Sequence, residues 1–358
     1  MDFTFNEEQE LLRNEARDFL ASEWPSARLR QMLENPAPAT EQIWEKISSL
    51  GWPGLLVPER YGGLGLGMYD LAVLMEAMGR RLVPGTFLAS AVLAVAALER
   101  LGSEEARSQY LPQIAEGRLR ATVAIYEPGS GWDLAALGVH DGDQTSVKSF
   151  VPEANAAELI LCAMREPERV RLFAPRDPEV KSLPALDPTR TLAEVRFDPQ
   201  QAEVVGEGSL EDLEAVIARA TVALTAEMVG ASAELLDATV SYLKSRKQFG
   251  RPVGSFQAVQ HRAADWLMEL EKARTAAYYA AMVADERPEQ LPLATSMAKV
   301  AANQALRFAA QQAIQLHGGI GFTWEQDLHL YFKRAKSSEV TFGDTPWHLE
   351  RIACGLGL

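Results

Sequence analysis

Three long stretches in the C-terminal part of the chain repeat apolar side chains at helical spacing: about Leu213 to Ser245, Phe256 to Ala284 and Ala294 to Leu316. The breaks between them are short, at Gly250-Arg251-Pro252 and Pro288 to Pro292, and the third stretch ends at Gly318-Gly319. Helices this long with links this short bury their apolar stripes most readily against one another, which favours an antiparallel bundle. Their packing faces are rich in Ala, so the helices can approach closely and leave surface for subunit contacts. No repeat of fixed period accompanies them, and a solenoid is disfavoured.

The first third is also helical. Asn6 and Gln9 have the capping-box form, and Leu12, Ala16, Phe19 and Leu20 recur at helical spacing behind them. Further helices are predicted over Ile43 to Leu50, Tyr69 to Arg81, Phe87 to Arg100 and Glu104 to Glu116. Near Leu119 the texture changes. From Ala121 to about Pro199, short β-type runs (122–126, 159–162, 169–173 and 193–197) alternate with Gly, Pro, Asp and Asn, the pattern of antiparallel strands and loops. The expectation is a mainly α protein with a small β domain: an N-terminal helical domain (1–118), a middle antiparallel β domain (119–205) and a C-terminal helical bundle (206–358).

Composition narrows the function. Among 358 residues, 35 Lys and Arg stand against 49 Asp and Glu, a net charge of −14, so the overall field repels polyanions and argues against nucleic-acid binding. Cys162 and Cys354 are far apart and fit neither a disulfide framework nor a zinc site, and the five histidines (His140, His261, His317, His329, His348) form no metal-binding spacing. Most of these histidines are expected at the surface or as caps. The opening residues lack a signal peptide, and no run supplies the ~20 uninterrupted apolar residues of a membrane span. A cytoplasmic location is the expectation. Gly129-Ser130-Gly131 is not a nucleophile elbow. The glycine-rich segment Pro58 to Gly67 lacks the Lys-Ser/Thr ending of a phosphate loop, so a structural turn is expected there.

Polar residues at the breaks between the long helices carry more information. Arg246-Lys247-Gln248-Phe249-Gly250 ends the first, Phe256-Gln257-Ala258-Val259-Gln260 opens the second, and Gln315-Leu316-His317-Gly318-Gly319-Ile320-Gly321-Phe322 ends the third. Arg pairs bidentately with phosphate, Gln amides bond a heterocycle edge, and glycines admit a ligand close to backbone. Two readings fit: a dinucleotide or pyrophosphate site, or ordinary helix C-caps.

These segments resemble the acyl-CoA dehydrogenase family, in which R-x-x-F-G, F-Q-x-x-Q and Q-x-x-G-G-x-G-[FY]-T-x-E occur in this order on a C-terminal helical domain. Earlier segments resemble it too: Val57 to Gly63, Glu76 to Arg80, Tyr110 to Gly117 and Glu127 to Asp133. The resemblance spans almost the whole chain. It implies an N-terminal helical domain, a middle β domain, a C-terminal four-helix bundle, and FAD bound between subunits. By position, Arg246 and Phe249 would contact the flavin nucleotide of a neighbouring subunit, with Gln257, Gln315 and Gly319 near its adenylate part. It also implies oxidation of the Cα–Cβ bond of an acyl-CoA thioester, with a carboxylate as proton acceptor.

Departures from the family pattern are as informative. Aligning Lys333 to Lys336 with the family's R-D-A-K helix puts Phe342 where the catalytic Glu stands. The alternative Glu position, counted back from Arg246, is Ala220, and only a gap would bring in Glu214. Neither Phe nor Ala accepts a proton. Trp132 replaces a small hydroxyl residue, the β domain is abbreviated, and Ser149 to Glu153 stand where the family supplies a Trp and a Thr beside the flavin. Kept residues toward a neighbour's FAD and lost residues toward its own suggest the base-lacking partner of a heteromer (α2β2) with a homologous subunit. The resemblance to such two-gene enzymes suggests a bulky acyl-CoA such as a steroid side-chain thioester. The alternatives are a homotetramer with a displaced base, Asp344 or a solvent-facing Glu339, and a scaffold that has lost FAD.

Overall fold

The computed structural model describes residues 5–139 and 145–358. In chain order the helices are α1 (Glu7–Glu23), α2 (Ser26–Glu34), α3 (Pro36–Ser49), α4 (Met68–Arg80), α5 (Val95–Leu101) and α6 (Glu104–Ala115). Strands β1 (Ala121–Ala124), β2 (Ser146–Pro152), β3 (Leu159–Arg165), β4 (Val170–Pro175), β5 (Glu179–Leu183), β6 (Leu192–Phe197) and β7 (Ala202–Gly208) follow. The C-terminal part holds α7 (Leu210–Ser245), a minimal hairpin of β8 (Lys247–Gln248) and β9 (Arg251–Pro252), α8 (Gln257–Glu286), α9 (Leu291–His317), α10 (Leu328–Val340) and α11 (Thr345–Gly355). The short α2, β2, β5, β7 and the β8–β9 hairpin go beyond the predicted elements. Two compact units are formed, one from Gln31–Leu71 and Pro84–Ala220, the other from Met1–Arg30, Ala72–Val83 and Thr221–Leu358.

The first unit contains two sheets, ordered β1-β3-β4-β7 and β2-β6-β5. Ala124, Val151, Ile160, Cys162, Phe173, Val195 and Phe197 form its β core. One pairing corrects the antiparallel expectation: β1 and β3 run parallel, Ala121 beside Leu159. The chain leaves β1, lays β2 into the other sheet and returns, and such a crossover permits parallel pairing. The predicted helix over Phe87 to Arg100 is π-helical from Leu88 to Ala94 before becoming α5. In the glycine-rich segment the N–H groups of Gly62, Gly63, Leu64, Gly65 and Leu66 all donate to carbonyls of residues 54–59. With its donors committed internally it is a structural turn, as expected.

In the second unit the Asn6–Gln9 capping box is formed in both directions, at 2.8 and 3.1 Å. Here α4 crosses α7 at two glycines, Gly79 against the Glu227 carbonyl and Gly230 against the Glu76 carbonyl. The close crossing is sealed by ions. Buried Glu76 accepts from Tyr278 Oη at 3.0 Å and pairs with Arg274 (3.3 Å) and Arg17 (3.5 Å), tying α4 to α8 and α1. Buried Arg334 of α10 pairs with Glu227 of α7 and donates to the Val83 carbonyl at 3.2 Å. The Ala-rich faces of α8 (Ala273, Ala277, Ala280) and α9 (Ala298, Ala302, Ala305, Ala309) are buried. Among the described residues α7 is the one helix long and apolar enough to cross a membrane, but its apolar window is mostly buried inside the fold, as in a core helix.

Candidate active site

The three polar breaks converge at one end of the bundle. Tyr242, in the last turn of α7, stacks on His317 at the end of α9 with ring centroids 4.2 Å apart, and its hydroxyl donates to the His317 carbonyl at 3.3 Å. Four residues on, Arg246 closes α7 with its N–H on the Tyr242 carbonyl, while its own carbonyl accepts from Val253. That contact returns the hairpin to α8, where Arg262 reaches Gln312 of α9 at 3.5 Å. Arg246, Phe249, Gln257, Gln315 and Gly319 are all exposed, Phe249 to 92%.

This end is electropositive and open. No acidic side chain pairs with Arg246, Lys247 or Arg251 among the described residues. The first residues of the 30-residue α8 add N–H groups with no side-chain cap, and a helix N-terminus attracts anions. A Cβ at Gly319 would meet nothing within 4 Å, so the turn leaves its backbone approachable. Phe249 takes φ +51° at the hairpin tip, where its ring stands edge-on to Phe256 and Arg251 lies over Phe256 at 4.0 Å.

Between α10 and α11 lies the turn expected to carry the base. Phe342 is buried (6% exposed) at φ +59°, a strained conformation for a side chain this large. Asp344 caps α11, accepting from the Trp347 N–H at 3.0 Å. Glu339 corrects the solvent-facing expectation: it is largely buried and paired with Arg307 (3.2 Å) and Lys336 (3.1 Å). Ala220 is fully buried within α7 and Glu214 half-buried.

A polar stripe on α9 holds both sides of this turn, and sequence reasoning passed over it. Buried Lys299 donates to the carbonyls of Ser338 (2.7 Å) and Glu339 (3.2 Å) and to Asn303 Oδ1 (2.9 Å). Asn303 donates in turn to Thr345 Oγ1 at 3.0 Å, and Ser296 meets His348 Nδ1 at 3.1 Å. Ser296, Lys299 and Asn303 interrupt an Ala-rich face at helical spacing, and that interruption was the available signal. Burial, with Lys299 and Arg351 nearby, pushes His348 down to about 3, so it stays neutral at pH 7 and accepts protons poorly. His317 is also buried, bonded through Nδ1 to the Ala313 carbonyl, and burial lowers its pKa. These two correct the expectation of surface histidines; His261 is exposed, and His140 lies outside the described residues.

In the β unit the loop after β1 is locked by Glu127. It accepts from Lys148 Nζ at 2.7 Å and from the Gly138 N–H at 2.8 Å, so one carboxylate joins the Gly138 backbone to β2. Trp132 stands edge-on to Tyr126 with centroids 5.3 Å apart. Phe150 is exposed at φ +55°, in the irregularity between Lys148 and Val151. Burial pushes the Cys162 thiol up to about 12, which removes it as a nucleophile at neutral pH.

Comparison with known proteins bears on this arrangement. The acyl-CoA dehydrogenase N-terminal domain matches residues 6–118 and the acyl-CoA dehydrogenase C-terminal domain matches residues 212–357. Acyl-CoA dehydrogenase IpdE2 of Mycobacterium tuberculosis is 33% identical over 93% of this chain and 92% of its own length. The chain belongs to the acyl-CoA dehydrogenase family. Two solved structures similar to this acyl-CoA dehydrogenase are the Tcur3481-Tcur3483 steroid ACAD G363A variant (30% identity, 98% of each chain, TM-score 0.86) and the ChsE4-ChsE5 complex from Mycobacterium tuberculosis (25% identity, 100% and 99% of the chains, TM-score 0.88).

Family membership makes it a flavoprotein oxidoreductase acting on the CH–CH bond of acyl-CoA, with FAD as cofactor. Its residues fit the adenosine-diphosphate half of that cofactor. The unpaired guanidinium of Arg246, the uncapped start of α8 and the open backbone at Gly319 offer charge, N–H donors and space to a diphosphate.

Proposed function

We propose that this chain is the base-lacking subunit of a heteromeric acyl-CoA dehydrogenase, completing with Arg246, Phe249, Gln257, Gln315 and Gly319 an FAD site whose proton acceptor belongs to a homologous partner. The observation that carries this reading is at the turn between α10 and α11. Phe342 and Ala220 cannot accept a proton, and the nearby carboxylates are engaged, Asp344 in a helix cap and Glu339 in two ion pairs. FAD supplies the hydride acceptor for Cα–Cβ oxidation. Arg246 would neutralise diphosphate charge, and the Gln257 and Gln315 amides would orient the adenosine end.

The two-chain relatives support a heteromer, and the steroid ACAD among them supports a bulky, steroid-type acyl-CoA as substrate. The engaged state of Asp344 and Glu339 weighs against a self-sufficient homotetramer, and the open cationic end weighs against a scaffold without flavin. The test is to purify the chain alone and with a co-expressed homologue that carries the Glu, then record flavin absorbance and acyl-CoA dehydrogenation with an artificial acceptor. Colour and activity only in the co-expressed pair are expected. A yellow, active preparation of the chain alone would overturn the proposal.

A further inference from the structure

Asp327 stands at the N-cap of α10, where a carboxylate ordinarily accepts a first-turn N–H, yet its side chain makes no such bond. It is turned toward α2 instead. Ser26 Oγ donates to Oδ2, and Arg30 Nε donates to Oδ1 at 2.9 Å. The other guanidinium nitrogens of Arg30 donate to the Trp324 carbonyl at 2.8 Å and the Glu325 carbonyl at 3.0 Å. A single fork therefore grips three groups of one loop almost the full length of the chain away.

That loop continues directly from the Gly318–Phe322 turn. Thr323 donates to the Ile320 carbonyl from both N–H (3.1 Å) and Oγ1 (2.9 Å). Phe322 and Trp324 are 79% and 69% exposed, so the segment buries little apolar surface of its own. Segments of that kind lie at the low-stability end of a fold unless something else orders them. Two adjacent glycines, Gly318 at φ +66°, add backbone freedom that a ligand would have to freeze.

We propose that Arg30 is a positioning residue for the nucleotide site: by fixing the loop from Thr323 to Asp327 it holds Gln315 and Gly319 in place for the adenosine-diphosphate half of FAD before the cofactor binds. This rests on the reading of Gln315 and Gly319 given under the proposed function.

The test uses the full chain in whichever assembly retains flavin, with Arg30→Ala, Arg30→Lys, Asp327→Asn and Arg246→Ala. Two quantities are read: the rate of FAD loss on dilution, and hydrogen–deuterium exchange over residues 315–327. Arg30→Ala is expected to raise exchange across that segment and speed FAD loss at least tenfold with little change in melting temperature. Arg30→Lys should fall in between, because an ammonium lacks the planar fork. Asp327→Asn should act in the same direction and replaces Arg30→Ala if that variant does not fold. If FAD loss is unchanged in Arg30→Ala and Asp327→Asn while Arg246→Ala speeds it, the positioning role is overturned and the site reading stands. If Arg246→Ala also leaves FAD loss unchanged, the site reading falls and this inference falls with it.

Discussion

Gly79 of α4 and Gly230 of α7 lie in reciprocal contact with each other's helix: a Cβ on Gly79 would overlap the Glu227 carbonyl, and one on Gly230 would overlap the Glu76 carbonyl. Because the obstacle is backbone rather than a flexible side chain, the helices would have to part. Overpacking of this kind costs about 1–3 kcal/mol or more, and these sites should fall at or above the upper end. Urea unfolding of Gly79→Ala and Gly230→Ala checks this. Gly319→Ala, where the new methyl meets open space, should leave stability within about 0.5 kcal/mol.

Replacing Asp344 by Ala removes the cap on the Trp347 N–H and should lower stability by about 1 kcal/mol. Dehydrogenase activity of the heteromer should stay within twofold. A fall of about 10²-fold or more, the range for loss of a general base, would make Asp344 the proton acceptor after all.

Arg246→Ala deletes a charge-assisted contact without disturbing an internal ion pair, since no acidic partner is present among the described residues. Loss of FAD affinity on the order of 1.5–3 kcal/mol is expected, with the melting temperature of the flavin-free chain unchanged. Equilibrium dialysis of the flavin and a thermal scan measure the two effects separately.

His348 gives stability a pH dependence of known sign. Its pKa falls to about 3 in the fold, against about 6.5 when unfolded, so between these values the unfolded chain binds the extra proton. The native state is therefore favoured above pH 6.5 and loses that advantage as pH falls toward 3, by up to about 1.4 kcal/mol per pH unit. Urea midpoints at pH 7 and pH 5 should differ less in His348→Gln than in the parent chain.

Local devices were legible in the sequence because their partners sit within about a dozen residues of each other. The Asn6–Gln9 box, the break at Gly318 and the self-closing glycine turn are of this kind, and the helical periodicity marked the bundle. Motif order along the chain was equally legible and carried the family. The parallel pairing of β1 with β3, the burial of His317 and His348, and the stripe from Ser296 to Asn303 depend on which distant segments pack together.

The composition and order of residues by themselves determined a helical chain with a β insert, an acidic surface, and non-ionisable side chains at Phe342 and Ala220. Only the tertiary structure decided that Asp344 and Glu339 are engaged, that Arg246 lies at the same end as Gln315, and that Arg30 grips the loop before Asp327. The physical reason is range. Periodicity and caps are set by neighbours a few residues apart, whereas the state of a carboxylate or guanidinium is set by whatever the fold brings within about 3 Å of it.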